Sequence, residues 1–155
     1  WGRRHTPAYA FGQVCGFDGE PQSSLEIVTA HAAIGPLRLP AATLFVLRHG
    51  GREFAVRSVS AARHTHGSYE PFSWSFDGTT DGVQMRGEIS AEPRDVIGLT
   101  YTDTNGAAKY CYNSALATCR ITLAGNGVDT ELTATRRAMF EILSADPIAA
   151  VPLLA

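Results

Sequence analysis

Residues 109–123 read KYCYNSALATCRITL, with Cys111 and Cys119 eight positions apart around the polar pair Asn113-Ser114. Four structures compete for such a stretch: half of a metal site, a disulfide loop, a catalytic nucleophile, or a corner of a β-fold. The Cys-x-x-Cys spacing of zinc knuckles and redox pairs is absent. A disulfide across a hairpin is geometrically open, but a chain of 155 residues can bury a core without staples. A nucleophilic thiol needs a nearby histidine or helix N-terminus to depress its pKa, and nothing local provides one. Asn113 and Ser114 can hydrogen-bond their own backbone, which suits a turn or bulge between two β-runs. Tyr110 and Tyr112 share a face just before it. The stretch reads as a sheet corner whose Asn113 can reach a pocket, and all three cysteines (Cys15 included) as buried, inert thiols.

The rest of the chain supports a β-reading. Turn signals fall at Asp18-Gly19, His49-Gly50-Gly51, Asp77-Gly78, Asp81-Gly82, Asn105-Gly106 and Gly125-Asn126-Gly127. Asx-Gly pairs supply the positive φ angles of tight hairpins. Between them the apolar runs predict strands at 8–17, 24–32, 43–49, 53–66, 72–77, 83–91, 96–103, 108–112, 118–124 and 130–143. Such spacing predicts an all-β antiparallel meander, hence a sandwich or an up-and-down barrel, with little helix. The segment TATRRAMFEIL follows a Thr-rich β-like run and is read as strand.

Hydrophobic residues make up 45% and charged residues 18%, with a net charge of −2. That balance describes a globular domain and argues against a nucleic-acid partner, because the densest basic spots, Arg3-Arg4 and Arg136-Arg137, are only pairs. The apolar tail PIAAVPLLA is too short to span a bilayer, so no transmembrane segment is expected. An odd count of three cysteines favours a reducing, cytoplasmic setting. The chain opens at Trp1 rather than Met, from which a missing upstream portion is expected.

Period-two reading assigns faces. In 8–17, Tyr9, Phe11, Gln13, Cys15 and Phe17 oppose Ala8, Ala10, Gly12, Val14 and Gly16, a large-versus-small split that suits a barrel wall. In 53–66, Phe54, Val56, Ser58, Ser60, Ala62, His64 and His66 fall on one side. That side begins apolar and ends protic, as a pocket-lining strand would; a long strand bending across the sheet is the alternative. Phe72, Trp74 and Phe76 alternate along PFSWSFDG as core or pocket wall. His64-x-His66 has a spacing that metal sites use, but no cluster supplies further ligands, and His5 and His31 are isolated. No metal and no cofactor is therefore expected. A general acid or base role for His66 or His64 stands as the catalytic candidate. Gly-x-Ser-x-Gly, the P-loop and the dinucleotide fingerprint are all absent.

WGRRHTPAYAFGQVCGFDG resembles the opening of the second half of the tocopherol cyclase and carotenoid 1,2-hydratase-like group, through Trp1-Gly2, Phe11, Gln13 and Cys15. LPAATLFVLRHGGREFAV is similar to that group's paired strands joined by a Gly turn, and Cys111 with Ser114 to its Cys-x-x-Ser segment. The resemblance spans most of residues 1–143. It implies one lipocalin-like barrel over residues 1–155, the C-terminal half of a two-barrel protein, whose partner is an upstream barrel or a second copy. It also implies a hydrophobic polyene or prenoid ligand, bound or else cyclised or hydrated after protonation. Tyr9, Phe11, Gln13, Phe72, Trp74, Phe76, Tyr112 and Asn113 are then the expected ligand-binding residues. The alternatives are a lipophilic-ligand binding module without chemistry and a purely structural half. No match can be made for a catalytic acid, and the Trp-rich segment is reduced to Trp74.

Overall fold

Asp81-Gly82 and Asn126-Gly127 fold the chain back on itself with left-handed backbone at both positions, φ 52° and 73° in the first and 45° and 73° in the second. Such paired positive angles match the twist of the strands that they join. The computed structural model describes residues 8–34, 37–102 and 106–154. Trp1, Gly2, Arg3, Arg4, His5 and Asn105 lie outside the described residues. The strands are β1 Tyr9–Phe17, β2 Glu20–Ile34, β3 Leu37–His49, β4 Arg52–Val56, β5 Thr65–Glu70, β6 Ser73–Thr80, β7 Val83–Ser90, β8 Ile97–Thr102, β9 Ala108–Gly125, β10 Val128–Ser144 and β11 Leu153–Leu154. Helix among the described residues is confined to short 3-10 turns at Ala61–His64 and Pro93–Asp95.

The fold is all-β and barrel-like, in the order β4-β3-β2-β1-β10-β9-β7-β6-β5. Every pairing on that path is antiparallel. β8 pairs the half of β9 that β7 leaves free, and β11 adds to β8 in parallel. The sheet does not close by a ladder, because β4 and β5 are its two ends. Side chains near the two ends cross the gap instead, from β5 to β3 and from β6 to β4. Thr65 Oγ1 donates to the Thr43 carbonyl at 2.7 Å, and Thr80 Oγ1 to the Ala55 carbonyl at 3.1 Å. At Gly67 the β5 backbone lies so close to β2 and β3 that an added Cβ would meet Thr29 Oγ1 at 2.1 Å and Thr43 Oγ1 at 2.6 Å.

Three expectations need correction. The run 53–66 is not one strand: β4 ends at Val56 and β5 begins at Thr65. Between them the Ser58 carbonyl accepts the Ala61 and Ala62 N–H groups and closes a turn, so the alternation from Phe54 to His66 is interrupted. Asp77-Gly78 is no turn but strand, with Gly78 buried so that the Phe45 ring and Thr65 can pack on it. The corner at Asn113-Ser114 is milder than expected. The runs 108–112 and 118–124 form the single strand β9, with register shifts against β10 between Ala134 and Phe140. The segment TATRRAMFEIL is strand, within β10.

The inner face is packed solid at its middle. Trp74, Ile89 and Ile27 converge on β1 at Gly12, where an added Cβ would sit 2.4 Å from Ile89 Cδ1 and 3.2 Å from Trp74 Cζ3. This inverts the expected faces of β1. Ala10, Gly12 and Val14 point inward and are buried, whereas Tyr9, Phe11 and Gln13 are half-buried on the outside. Small residues are needed inside because bulky ones arrive from across the barrel. Cys15 shares the outer face and is exposed, not buried as expected. Gly12→Val should lower stability by about 1–3 kcal/mol through overpacking, read as a reduced urea midpoint at unchanged m-value. A midpoint within error of wild type would mean that the centre of the barrel has spare room.

Candidate functional site

The expected binding residues fall on two different surfaces. Trp74 and Phe76 are core, their rings edge to face with centroids 5.4 Å apart. Tyr112 is also buried, and its hydroxyl accepts the Ile148 N–H at 2.6 Å, which pins the C-terminal tail to the sheet. Phe72 is half-buried and packs against the same core. Together with Phe17, Phe54 and Phe140 these rings occupy the interior themselves. Among the described residues one buried side-chain polar atom, Trp74 Nε1, has no hydrogen-bond partner.

The two histidines are placed differently from their predicted setting. His64 ends the 3-10 turn and is exposed, with its Nε2 accepting from Arg63 Nε at 3.0 Å. His66 stands on the outer face of β5, its side chain 76% exposed, and meets Asp77 across the strands at 3.3 Å. Asp77 is in turn opposite Arg86, so the three form a cross-strand row in water. An open polar cleft of about 500 Å³ surrounds them, lined also by Ser68 and Ser75. The pocket-lining arrangement fails because the turn at 58–62 breaks the periodicity that put both imidazoles on one wall. Among the described residues no three His, Cys, Asp or Glu side chains converge as metal ligands.

The other expected residues gather on the opposite, outer face of β1, β9 and β10. Phe11 lies opposite Glu141, and Glu141 opposite Asn113; one step along, Tyr9 lies opposite Leu143, and Leu143 opposite Cys111. The Tyr9 hydroxyl donates to Glu141 Oε1 in a short hydrogen bond. Asn113 Nδ2 donates to Cys111 Sγ at 3.3 Å. Glu141 is therefore a half-buried acceptor that the Tyr9 hydroxyl serves. Cys111 and Leu143 are buried but stand apart from the barrel core, because they belong to this second apolar layer. Burial pushes the Cys111 thiol up to about 12, reinforced by the charge of Glu141. Burial likewise raises the Tyr9 phenol well above its usual range, with the Glu141 hydrogen bond next in weight.

Beside this cluster runs an apolar groove of about 270 Å³ over β1 to β4. Phe11, Val28, Leu44 and Val46 supply its walls, and Glu26 and Arg57 reach its rim. Phe11 touches both regions: it lines the groove and faces Glu141 across the ladder. Sequence reasoning placed Tyr9, Phe11, Gln13 and Asn113 in a site but missed Glu141, Cys111, Val28, Leu44 and Val46. A signal was present. TLFVL is apolar on both faces, through Phe45 and Leu47 on one and Leu44 and Val46 on the other, which a strand with one wet side does not need.

No family model matches the chain, and no curated protein matches it. A crystal structure of a protein from Nitrosomonas europaea, provisionally named AttH, aligns with a TM-score of 0.55 at 12% identity. The alignment covers 92% of this chain and 52% of that one. Likeness at that identity extends to the fold. The chain spans about half the length of that protein.

Two measurements check the thiol environments. Iodoacetamide at neutral pH should modify the exposed Cys15 in the native chain, and Cys111 and Cys119 only after denaturation, read by intact mass. Burial also raises Cys119 to about 12. Both thiols hold their protons more tightly folded than unfolded, where the value is 9.0. Their contribution to stability is thus complete below about pH 9 and lost as pH rises towards 12. Urea midpoints should be level near neutrality and fall above pH 9; a level profile to pH 11 would contradict the burial of both groups.

Proposed function

We propose that this chain is a barrel-like domain that binds an elongated hydrophobic molecule, of polyene or prenoid type, in the groove outside β1 to β4. The observation that supports this is the contrast between the two faces. The interior is filled at Gly12, Trp74, Ile27 and Ile89, whereas the outer face carries an apolar channel next to a protic cluster. Most of a ligand's affinity would come from the apolar area that it covers, at about 25 cal/mol per Å² before the costs of association. The reading is of binding rather than of cyclisation or hydration, since His64 and His66, the candidate acids, lie in water away from the groove.

A second reading, that the face packs against another protein domain, draws on the length of the AttH neighbour, about twice that of the matched region. Native mass spectrometry of the purified chain, with charge variants in the groove, separates the two. The binding reading expects a co-purified polyene or prenoid that Val28→Asp and Leu44→Glu each reduce by about tenfold or more, since charge in an apolar site is costly. His64→Ala with His66→Ala should leave it in place. A ligand-free chain that dimerises, and becomes monomeric with Leu44→Glu, would replace the first reading with the second.

A further inference from the structure

Phe11, which lines the groove, stands opposite Glu141 and so beside a polar cluster on β1, β9 and β10. We propose that the Tyr9–Glu141–Cys111–Asn113 cluster selects the head group of the groove's ligand, accepting a hydroxyl-ended apolar molecule and rejecting a carboxylate-ended one. This rests on the groove being the binding site. Phe11 joins the two regions, so a chain lying along Phe11 brings its end to Glu141 on the neighbouring strand. Glu141 accepts from the Tyr9 hydroxyl. A carboxylate has room for about four donors, which leaves it free to accept from a ligand hydroxyl. A hydrogen bond to a charged acceptor in a half-buried setting is among the stronger ones.

The same geometry excludes acids. A ligand carboxylate beside Glu141 would set two negative charges together on an apolar surface, where screening is weak. The donors near Glu141 are largely engaged: Tyr9 is directed to Glu141 and one Asn113 N–H to the Cys111 sulfur, which leaves the second Asn113 N–H, while Arg57 at the groove's rim is paired with Glu53. Gln13 is the nearest further amide, diagonal to Glu141 across the β1–β10 ladder. An amide can donate to a carboxylate but does not cancel its charge.

Retinol and retinoic acid test this directly, because they share a polyene body and differ at the end group. Each is titrated into the full chain at neutral pH, with affinity read from quenching of tryptophan fluorescence. Retinol should bind about tenfold more tightly than retinoic acid, or better. Glu141→Gln removes the charge while keeping an acceptor for Tyr9, and should bring the two affinities within about threefold. Should that variant fold poorly by circular dichroism, Asn113→Asp adds a second charge to the same row and should widen the gap by weakening retinoic acid alone.

Equal binding of the two probes by the wild type would overturn head-group selection and leave the groove reading standing. A preference that survives Glu141→Gln, or a ratio unmoved by Asn113→Asp, would overturn it too. Failure of both probes to bind, or of retinol alone, removes the groove reading and this proposal with it. Loss of both probes in Leu44→Glu, with the preference abolished only in Glu141→Gln, supports both.

Discussion

Trp74 crosses the barrel and lies against the backbone of Gly12, with Ile89 and Ile27 beside it. That contact sets the terms for the rest of the molecule. A side chain larger than hydrogen at position 12 would collide with Ile89, so β1 turns Ala10, Gly12 and Val14 inward and Tyr9 and Phe11 outward, while Phe17 is buried beyond the register shift after Cys15. Tyr9 and Phe11 are half-exposed for that reason, not because the outer face was built around them locally. At the level of Gly12, among the described residues, volume that a hollow barrel would offer to a ligand is occupied by Trp74, Ile89 and Ile27. The outer face then becomes the surface with apolar side chains to spare.

The outer face differs chemically along its length. Over β5 to β7 it carries a ladder of His66, Asp77 and Arg86 in water, of the kind that contributes little to stability. Over β1 to β4 and β10 it carries Phe11, Val28, Leu44 and Leu143, with the hydrogen-bonded Tyr9, Glu141, Cys111 and Asn113 set among them. Raised proton affinities of Tyr9 and Cys111 are symptoms of this second layer. They report groups withdrawn from water on a surface that faces away from the core.

Strand periodicity and turn chemistry were legible in the sequence because both are local. Asp81-Gly82 and Gly125-Asn126-Gly127 mark real hairpins, and the alternation in β6 places Trp74 and Phe76 on one inward face. What the sequence could not convey was which face of β1 looks inward, since that depends on Trp74 and Ile89, some sixty to eighty residues away. The break after Val56 was hidden for a different reason. Serines at 58 and 60 continue a period-two pattern on paper, but their neighbourhood prefers a turn, with the Ser58 hydroxyl accepting the Ala61 N–H. Once that turn forms, His64 and His66 cannot share a wall with Phe54 and Val56. The candidate residues on β1 and β9 were chosen for their chemistry, and the face that each occupies was hidden for want of long-range contacts.

The seam between β3 and β5 is fastened by the Thr65 hydroxyl on the Thr43 carbonyl rather than by a run of amide pairs. Amide ladders open cooperatively, whereas isolated hydroxyl bonds can be exchanged singly for water at small net cost. The β5–β6 hairpin, paired on only one side by β7, is consequently the part of the wall that can swing outward with the remaining sheet intact. Deuterium uptake along β5 should outpace that of β9 and β10, whose amides are bracketed on both flanks.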